Sequence, residues 1–139
     1  SLTTNVGRPP LHLGISGTMK PPIDRVRVSQ RSRDILVTLK RRTGIEHWNV
    51  LCRWALMESM ANPNKPVAVP TAQDSNVEMT WDVFSGDLGE EIVAALCVRA
   101  ATDLIPEERL TTYFRQHLER GILQLQSAKN LGDLVRRVL

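Results

Sequence analysis

The segment between residues 25 and 60 constrains the fold of this chain more than any other. Residues 25–29 alternate arginine or serine with valine, which is typical of a β-strand with one polar and one apolar face. An amphipathic helix is predicted next, with Ser29 or Ser32 as its N-cap and Gly44 at its end. A second helix is predicted over Glu46–Met60, because the Asn62-Pro63 pair cannot continue it. The fold therefore opens with strand, helix, tight turn and helix.

This order of elements is that of a ribbon-helix-helix DNA-binding unit. Lys40, Arg41 and Arg42 fill the last turn of its first helix. One cation is enough to complement the carbonyl end of a helix dipole, so three in a row favour contact with phosphate. Dipole compensation on a solvated helix end stays open as the alternative explanation.

Three further residues are candidates for contact with DNA. A two-stranded ribbon fits the major groove and would present Arg25 and Arg27 to base edges. The start of the second helix, with Asn49 nearby, would bring free N–H groups towards a phosphate. The same strand pattern also occurs in proteins whose alternate arginines are only solvated.

The charges of the chain are divided unevenly. Residues 1–66 carry 11 Lys and Arg against 4 Asp and Glu, a net +7, whereas residues 67–139 carry 7 against 11, a net −4, giving the overall +3. A basic half that contains the motif favours nucleic acid as the partner. Neutralisation of one half by the other, within the fold or between copies, is the alternative.

The chain is predicted to hold one domain, over residues 23–139. Residues 1–22 contain four prolines, three glycines and few charges, so they predict a flexible, extended arm. Met19 is a candidate natural start, which would make residues 1–18 an upstream extension.

The second half predicts one strand and three helices, so the fold class is mainly α with a ribbon-helix-helix-like beginning. Val77–Val83 alternates as a strand does. The helices are predicted to start at Asp87, in capping-box spacing with Glu90, at Pro106 and at Asn130. The strand over residues 25–29 has no neighbouring strand in sequence, so we expect it to pair with a second copy and the protein to self-assemble.

Several classes of protein are excluded by simple counts. Cys52 and Cys97 lie within apolar helical patterns and are predicted to be buried thiols. The three histidines have no metal-ligand spacing, and no phosphate-binding glycine loop occurs, so we predict neither a metal nor a cofactor. No apolar run approaches the roughly 18 residues of a membrane span. We expect a cytoplasmic protein that does not contact membranes.

Two motifs resemble the DndE family of the bacterial DNA phosphorothioation (DNA sulfur modification) system. The first is the run over residues 39–44, Leu-Lys-Arg-Arg-Thr-Gly, followed by Asn49, Cys52-Arg53 and Ala55. The second is Phe-Arg-Gln-His-Leu-Glu-Arg-Gly over residues 114–121. The matches span most of residues 23–139, and the two motifs are distinctive in combination.

The resemblance implies a self-assembling, helical DNA-binding subunit that prefers nicked duplex DNA. It implies partners that include a cysteine desulfurase and the other subunits that replace a non-bridging phosphate oxygen by sulfur. The family's basic surface corresponds to Lys40, Arg41 and Arg42, and Arg53 joins the candidate DNA-binding residues. Some members are described as nicking DNA, and Lys40 is the match to the lysine implicated there.

The second motif has a functional and a structural interpretation. His117 with Arg115 and Arg120 would form a second phosphate site or a partner contact. We favour the structural interpretation, in which His117 is hydrogen-bonded in the core and the arginines pair with acidic residues such as Glu119 or Glu108. Gly121 is unfavourable inside a helix by about 1 kcal/mol, so it predicts a close helix crossing.

Four functions compete at this point. The first is a non-catalytic DNA-binding subunit of the modification machinery, a dimer or a tetramer. The second is a nicking endonuclease, although the basic half offers no paired carboxylates for metal-assisted hydrolysis. The third is a ribbon-helix-helix repressor, and the fourth is a protein scaffold without DNA contact.

Overall fold

The computed structural model describes residues 20–67 and 72–138, so most of the predicted arm lies outside the described residues. The described residues form two short strands and six helices. They also form 3-10 turns at Gly86–Leu88 and Glu107–Arg109. The elements are β1 (Arg25–Arg27), α1 (Gln30–Thr43), α2 (Trp48–Ala61), β2 (Glu78–Thr80), α3 (Trp81–Ser85), α4 (Gly89–Thr102), α5 (Leu110–Leu125) and α6 (Leu131–Val138). The mainly α class predicted from the sequence is confirmed.

Helix α1 begins and ends at two residues that were predicted from the sequence to cap it, Ser29 and Gly44. The Ser29 hydroxyl accepts a hydrogen bond from Ser32 N at 3.1 Å, so Ser29 is the N-cap. Gly44 has φ +78° and donates its N–H to Lys40 O at 3.0 Å. Ile35, Leu36 and Leu39 are buried on one face of the helix, as the spacing predicted.

Strand β1 pairs with β2 of the same chain, so the expected pairing with a second copy is wrong. The pairing is antiparallel, with Val26 opposite Met79 and Arg27 opposite Glu78. Val26 and Met79 are buried, because the apolar side of this small sheet covers the helical core. The partner strand is about 50 residues away in sequence, where a local pattern cannot reveal it.

The predicted strand over residues 77–83 is shorter than expected and turns into α3. The Thr80 hydroxyl accepts a hydrogen bond from Val83 N at 3.2 Å and starts the helix at Trp81. A helix places Trp81 and Phe84 on the same side, whereas a strand would place them on opposite faces. Both rings then pack against Phe114 of α5, with centroid separations of 5.6 and 5.5 Å.

The predicted starts of the later helices have mixed outcomes. The capping box is wrong, because Asp87 lies in a 3-10 turn and α4 begins at Gly89 without a side-chain cap. Pro106 begins a 3-10 turn, and the α-helical part starts only at Leu110. Asn130 does open α6, since its Oδ1 accepts a hydrogen bond from Asp133 N at 2.9 Å.

The centre of the fold is the crossing of α2 and α5, where the prediction from Gly121 is confirmed. A Cβ built on Gly121 would lie 1.7 Å from the backbone oxygen of Ala55. No side chain fits between the two backbones at that point, so glycine is required for space and not for its backbone freedom. This contact fixes where the polar residues of α5 meet α2.

Candidate nucleic-acid interface

The end of α1 and the beginning of α2 form a corner that carries Lys40, Arg41 and Arg42, here called the basic corner. Arg41 and Arg42 are exposed, and Arg42 donates to the carbonyl oxygens of Gln126 and Ala128 at 3.2 and 3.4 Å. Over residues 20–67 and 72–138, none of the three cations forms an ion pair with a carboxylate. Their charge is therefore not neutralised by a neighbouring acid.

Lys40 is held on the α2 side of the basic corner by an aromatic ring. Its Nζ lies 4.1 Å from the centroid of the Trp48 ring, in cation–π geometry. An ammonium in this position can still donate hydrogen bonds on the side away from the ring. Trp48 thus fixes the direction in which the charge is presented.

The first turn of α2 adds a positive helix end to the basic corner. His47 is the N-cap but makes no side-chain capping bond, and the first turn contains no acidic residue. The earliest backbone hydrogen bond of this turn is from Val50 N to His47 O at 3.2 Å, which leaves the N–H groups of Trp48 and Asn49 ahead of it. An anion is favoured at such a position.

Asn49 and Arg53, two of the candidate DNA-binding residues, contact the end of α3. Asn49 Nδ2 donates to Val83 O at 3.0 Å, and Arg53 Nη1 donates to Phe84 O at 2.7 Å. Both side chains therefore hold the short helix α3 against α2. Arg53 is half-buried, and its remaining donors are not engaged in an ion pair within the described part of the chain.

Arg25 and Arg27 lie on the outward face of the two-stranded sheet, with Glu78 between them. Their guanidinium nitrogens are 3.3 and 3.6 Å from the Glu78 carboxylate. The hydrogen bond from Arg25 lowers the pKa of Glu78, and the charges of Arg25 and Arg27 lower it further. An approaching phosphate must compete with this carboxylate for both arginines.

The sheet and the basic corner lie at opposite ends of α1. A helix of 14 residues is about 21 Å long, which separates the two cationic regions. Arg31 is exposed on the first turn of α1, and Lys129 follows the carbonyls that Arg42 binds. Neither was among the candidates from the sequence; Lys129 is brought to the basic corner only by tertiary structure.

Glu119 of α5 has a structural role that was not predicted from the sequence. Its buried carboxylate accepts hydrogen bonds from Ser29 N at 3.0 Å, from Ser29 Oγ at 2.8 Å and from Ser32 Oγ. A carboxylate here complements the positive end of the α1 dipole. It anchors the N-terminus of the helix whose other end carries the basic corner.

His117 has the structural role that was favoured, while the expected acidic partners of the arginines are wrong. His117 is fully buried, and its Nδ1 lies 2.8 Å from Ser59 Oγ. Burial, followed by the charges of Arg120 and Arg99, lowers the pKa of His117 to about 4. Arg120 binds oxygens of Ser59 and Asn64 instead of a carboxylate.

Arg99 and Arg120 together bind carbonyl oxygens in the last turn of α2 and just after it, an arrangement here called the carbonyl clamp. Arg99 donates to Met60 O, Asn62 O and Asn64 O at 2.7–2.9 Å. Arg120 donates to Ser59 O and Asn64 O at 2.8 and 2.7 Å. The clamp satisfies the carbonyls that the end of a helix leaves without partners. These two cations are engaged inside the protein.

Both thiols are buried, as predicted. Burial and, to a smaller extent, the nearby charge of Glu119 raise the pKa of Cys52 to about 12, while the charge of Arg53 opposes the change. Burial also raises the pKa of Cys97. A thiol must form a thiolate to act as a nucleophile, so neither residue is suited to accept sulfur.

Comparison with known proteins identifies the relatives of this fold. The sequence model of the family described as DNA sulphur modification protein DndE matches residues 25–133. A crystal structure of DndE from Escherichia coli B7A involved in DNA phosphorothioation modification has a TM-score of 0.61 and 23% identity, over 78% of this chain and 99% of that chain. A crystal structure of a DndE mutant involved in DNA phosphorothioation has a TM-score of 0.56 and 18% identity, over 74% and 98%.

Other searches of the chain gave negative results. No curated protein matches it. Within residues 20–67 and 72–138, no three His, Cys, Asp or Glu side chains are grouped so that they could hold a metal ion. Over the same residues, no helix combines the length and the apolar character that crossing a membrane requires.

Proposed function

This chain belongs to the DndE family of DNA sulphur modification proteins, and on that premise we propose that it is a DNA-binding subunit of the phosphorothioation machinery. It binds duplex DNA, and nicked duplex in preference, through a surface of Lys and Arg side chains. It acts beside the subunits that deliver sulfur, including a cysteine desulfurase, and it does so in the cytoplasm as a homo-oligomer.

The basic corner is the observation that carries this proposal. Lys40, Arg41 and Arg42 stand together without a neutralising carboxylate in the described part of the chain, beside the uncapped first turn of α2. Each cation that approaches the DNA backbone releases condensed counterions, and a helix N-terminus favours a phosphate nearby. The two features reinforce each other because they act on the same small region.

Arg25 and Arg27 supply a second contact at the other end of α1. Exchanging the Glu78 carboxylate for a phosphate keeps both arginines paired, so contact with DNA there replaces one anion by another. Contacts of this kind position the DNA and carry little sequence information. The preference for a nick follows from the family resemblance, and it has a physical reason, since a nicked duplex bends more easily onto a basic surface.

The location of the cysteines supports a non-catalytic role for this subunit. Cys52 and Cys97 are buried, and their pKa values are raised, so a persulfide could not readily form on them. Sulfur would then be handled by partner subunits while this chain holds the DNA. Lys40, the candidate residue of a nicking activity, is engaged with the Trp48 ring.

The test is a comparison of intact, nicked and single-stranded DNA of identical sequence, measured by fluorescence anisotropy in a salt series. We expect nicked duplex to bind most tightly, with affinity that falls steeply as salt rises. Absence of binding, or binding that depends strongly on one palindromic sequence and ignores the nick, would contradict the proposal. Relaxation of supercoiled plasmid, abolished by Lys40→Ala, would instead indicate a nickase.

A further inference from the structure

One charged residue of the segment over 114–121 makes no polar contact within the described part of the chain. Phe114 and Leu118 are in the core, Glu119 caps α1, Arg120 belongs to the carbonyl clamp and Gly121 allows the helix crossing. His117 is bound to Ser59. Arg115 remains: over the described residues it forms neither a hydrogen bond nor an ion pair, and its Nε is buried without a partner.

Arg115 shares an open groove with the arginines of β1. The groove has a volume of about 540 Å³ and is lined by Arg25, Arg27 and Arg115, together with the carboxylates of Asp24 and Glu78. Arg25 and Arg27 are paired with Glu78, whereas Arg115 forms no ion pair with a carboxylate of residues 20–67 and 72–138. A partly buried guanidinium without a partner has lost hydration and gained nothing in return, which a bound anion would correct.

We propose that Arg25, Arg27 and Arg115 hold a terminal phosphomonoester, the phosphate group that a nicked strand ends in. This inference rests on the proposed function and deepens it, because it names the feature of a nick that the protein recognises. The groove would bind the strand end directly, in addition to the contacts of the basic corner with the continuous backbone.

The charges favour a monoester over an internal diester. Three guanidiniums face two carboxylates in the groove, a net charge of +1. A phosphomonoester carries about −1.5 to −2 at neutral pH and offers three strong acceptor oxygens, whereas a backbone diester carries one charge. Three oxygens allow the group to meet guanidiniums from both elements, β1 and α5.

The gain on binding comes mainly from Arg115. Glu78 is partly exposed and can turn into solvent when phosphate replaces it, so Arg25 and Arg27 exchange one anion for another. Arg115, which has no carboxylate partner among the described residues, instead gains charge-assisted hydrogen bonds. Its removal should therefore abolish recognition of the terminal phosphate without disturbing the fold.

The experiment uses the whole chain and two nicked duplexes of identical sequence, one with a 5′-phosphate at the nick and one with hydroxyls on both sides. We expect the phosphorylated nick to bind about tenfold more tightly. Arg115→Gln should remove that difference and keep the affinity for the hydroxyl nick. Arg109→Gln, the same charge change at an exposed position just before α5, should keep the difference.

The outcomes separate this inference from the proposed function. Equal affinity of the wild-type protein for both nicks would overturn the phosphate site while leaving DNA binding intact. So would an Arg115→Gln variant that weakens binding to both duplexes by the same factor, because Arg115 would then be a general backbone contact. Absence of binding to either duplex would overturn both proposals.

Discussion

The basic corner and the carbonyl clamp both consist of cationic side chains, but they differ in how many of the hydrogen-bond donors are used inside the protein. Arg99 and Arg120 donate hydrogen bonds to the carbonyl oxygens at the end of α2 and just after it, so their donors are used inside the protein. Arg41 of the basic corner is exposed, without an ion-pair partner among the described residues. The comparison teaches that an arginine becomes a candidate for binding DNA only when the fold leaves its donors unused.

The two regions should therefore respond differently to substitution. Residues of the carbonyl clamp should contribute strongly to the free energy of unfolding, because their removal breaks charge-assisted hydrogen bonds to the carbonyls at the end of α2. Residues of the basic corner should determine the affinity for DNA and contribute less to stability. The loss of stability should therefore be largest at the crossing of α2 and α5 and at the carbonyl clamp, and smallest at the basic corner.

Gly121→Ala should prevent α5 from meeting α2, on which the carbonyl clamp depends. The new Cβ would meet the Ala55 backbone oxygen at 1.7 Å, and no rotamer change relieves a clash with backbone. We expect destabilisation of about 4 kcal/mol or more, measured by urea denaturation followed by circular dichroism. Gly132→Ala in α6 is the control, and its free energy of unfolding should stay within about 1 kcal/mol of wild type. A Gly121→Ala protein of wild-type stability would show that the two helices are not packed so closely at this point.

Arg120→Met should weaken the clamp while keeping much of the packing volume. Ser59 and Asn64 would each lose a hydrogen bond from the guanidinium to their backbone oxygens. We expect a loss of about 3 kcal/mol in the free energy of unfolding, since these are charge-assisted bonds. Arg109→Met, at an exposed position, should change stability by less than about 0.5 kcal/mol. Equal effects of the two substitutions would erase the distinction between engaged and free cations.

His117 should make stability depend on pH. Its pKa is lowered from 6.5 to about 4 in the folded protein, so below pH 6.5 the unfolded chain binds a proton that the folded chain does not. The free energy of unfolding that depends on neutral His117 is fully present above pH 6.5 and is lost as the pH falls towards 4. The difference in free energy of unfolding between wild type and His117→Gln should shrink by about 3 kcal/mol across that window, in denaturation series at each pH. A constant difference would mean that His117 titrates normally.

Replacing Lys40, Arg41 and Arg42 together by alanine should lower the free energy of unfolding by only about 1–2 kcal/mol. Arg42 loses its hydrogen bonds to Gln126 O and Ala128 O and Lys40 loses its contact with Trp48, but no ion pair is lost in the described part of the chain. The slope of log K against log salt for duplex DNA should decrease in magnitude by about 2–3. The matched control replaces three other exposed cations, Lys65, Arg109 and Arg136, and should change the slope less. A folded triple variant with an unchanged slope would remove the basic corner from the interface.

Features set by neighbouring residues could be read from the sequence. Ser29 and Gly44 bound α1 because capping depends on local backbone geometry. The burial of both cysteines followed from apolar periodicity, and the crossing at Gly121 followed from the cost of glycine inside a helix. The cations of residues 40–42 were identified as a candidate site in the same way, from their place at a helix end.

Tertiary structure decided everything that depends on distant partners. Strand β1 pairs with β2 of the same chain. Ser29, the N-cap of α1, donates a hydrogen bond to Glu119, which is 90 residues away. Arg115 and Arg120 differ by five positions on one helix, yet one faces a groove and the other binds carbonyls. The sequence determines which side chains carry charge and where helices start and end. Which charges are satisfied inside, and which stay available to a ligand, depends on contacts between segments that local patterns do not specify.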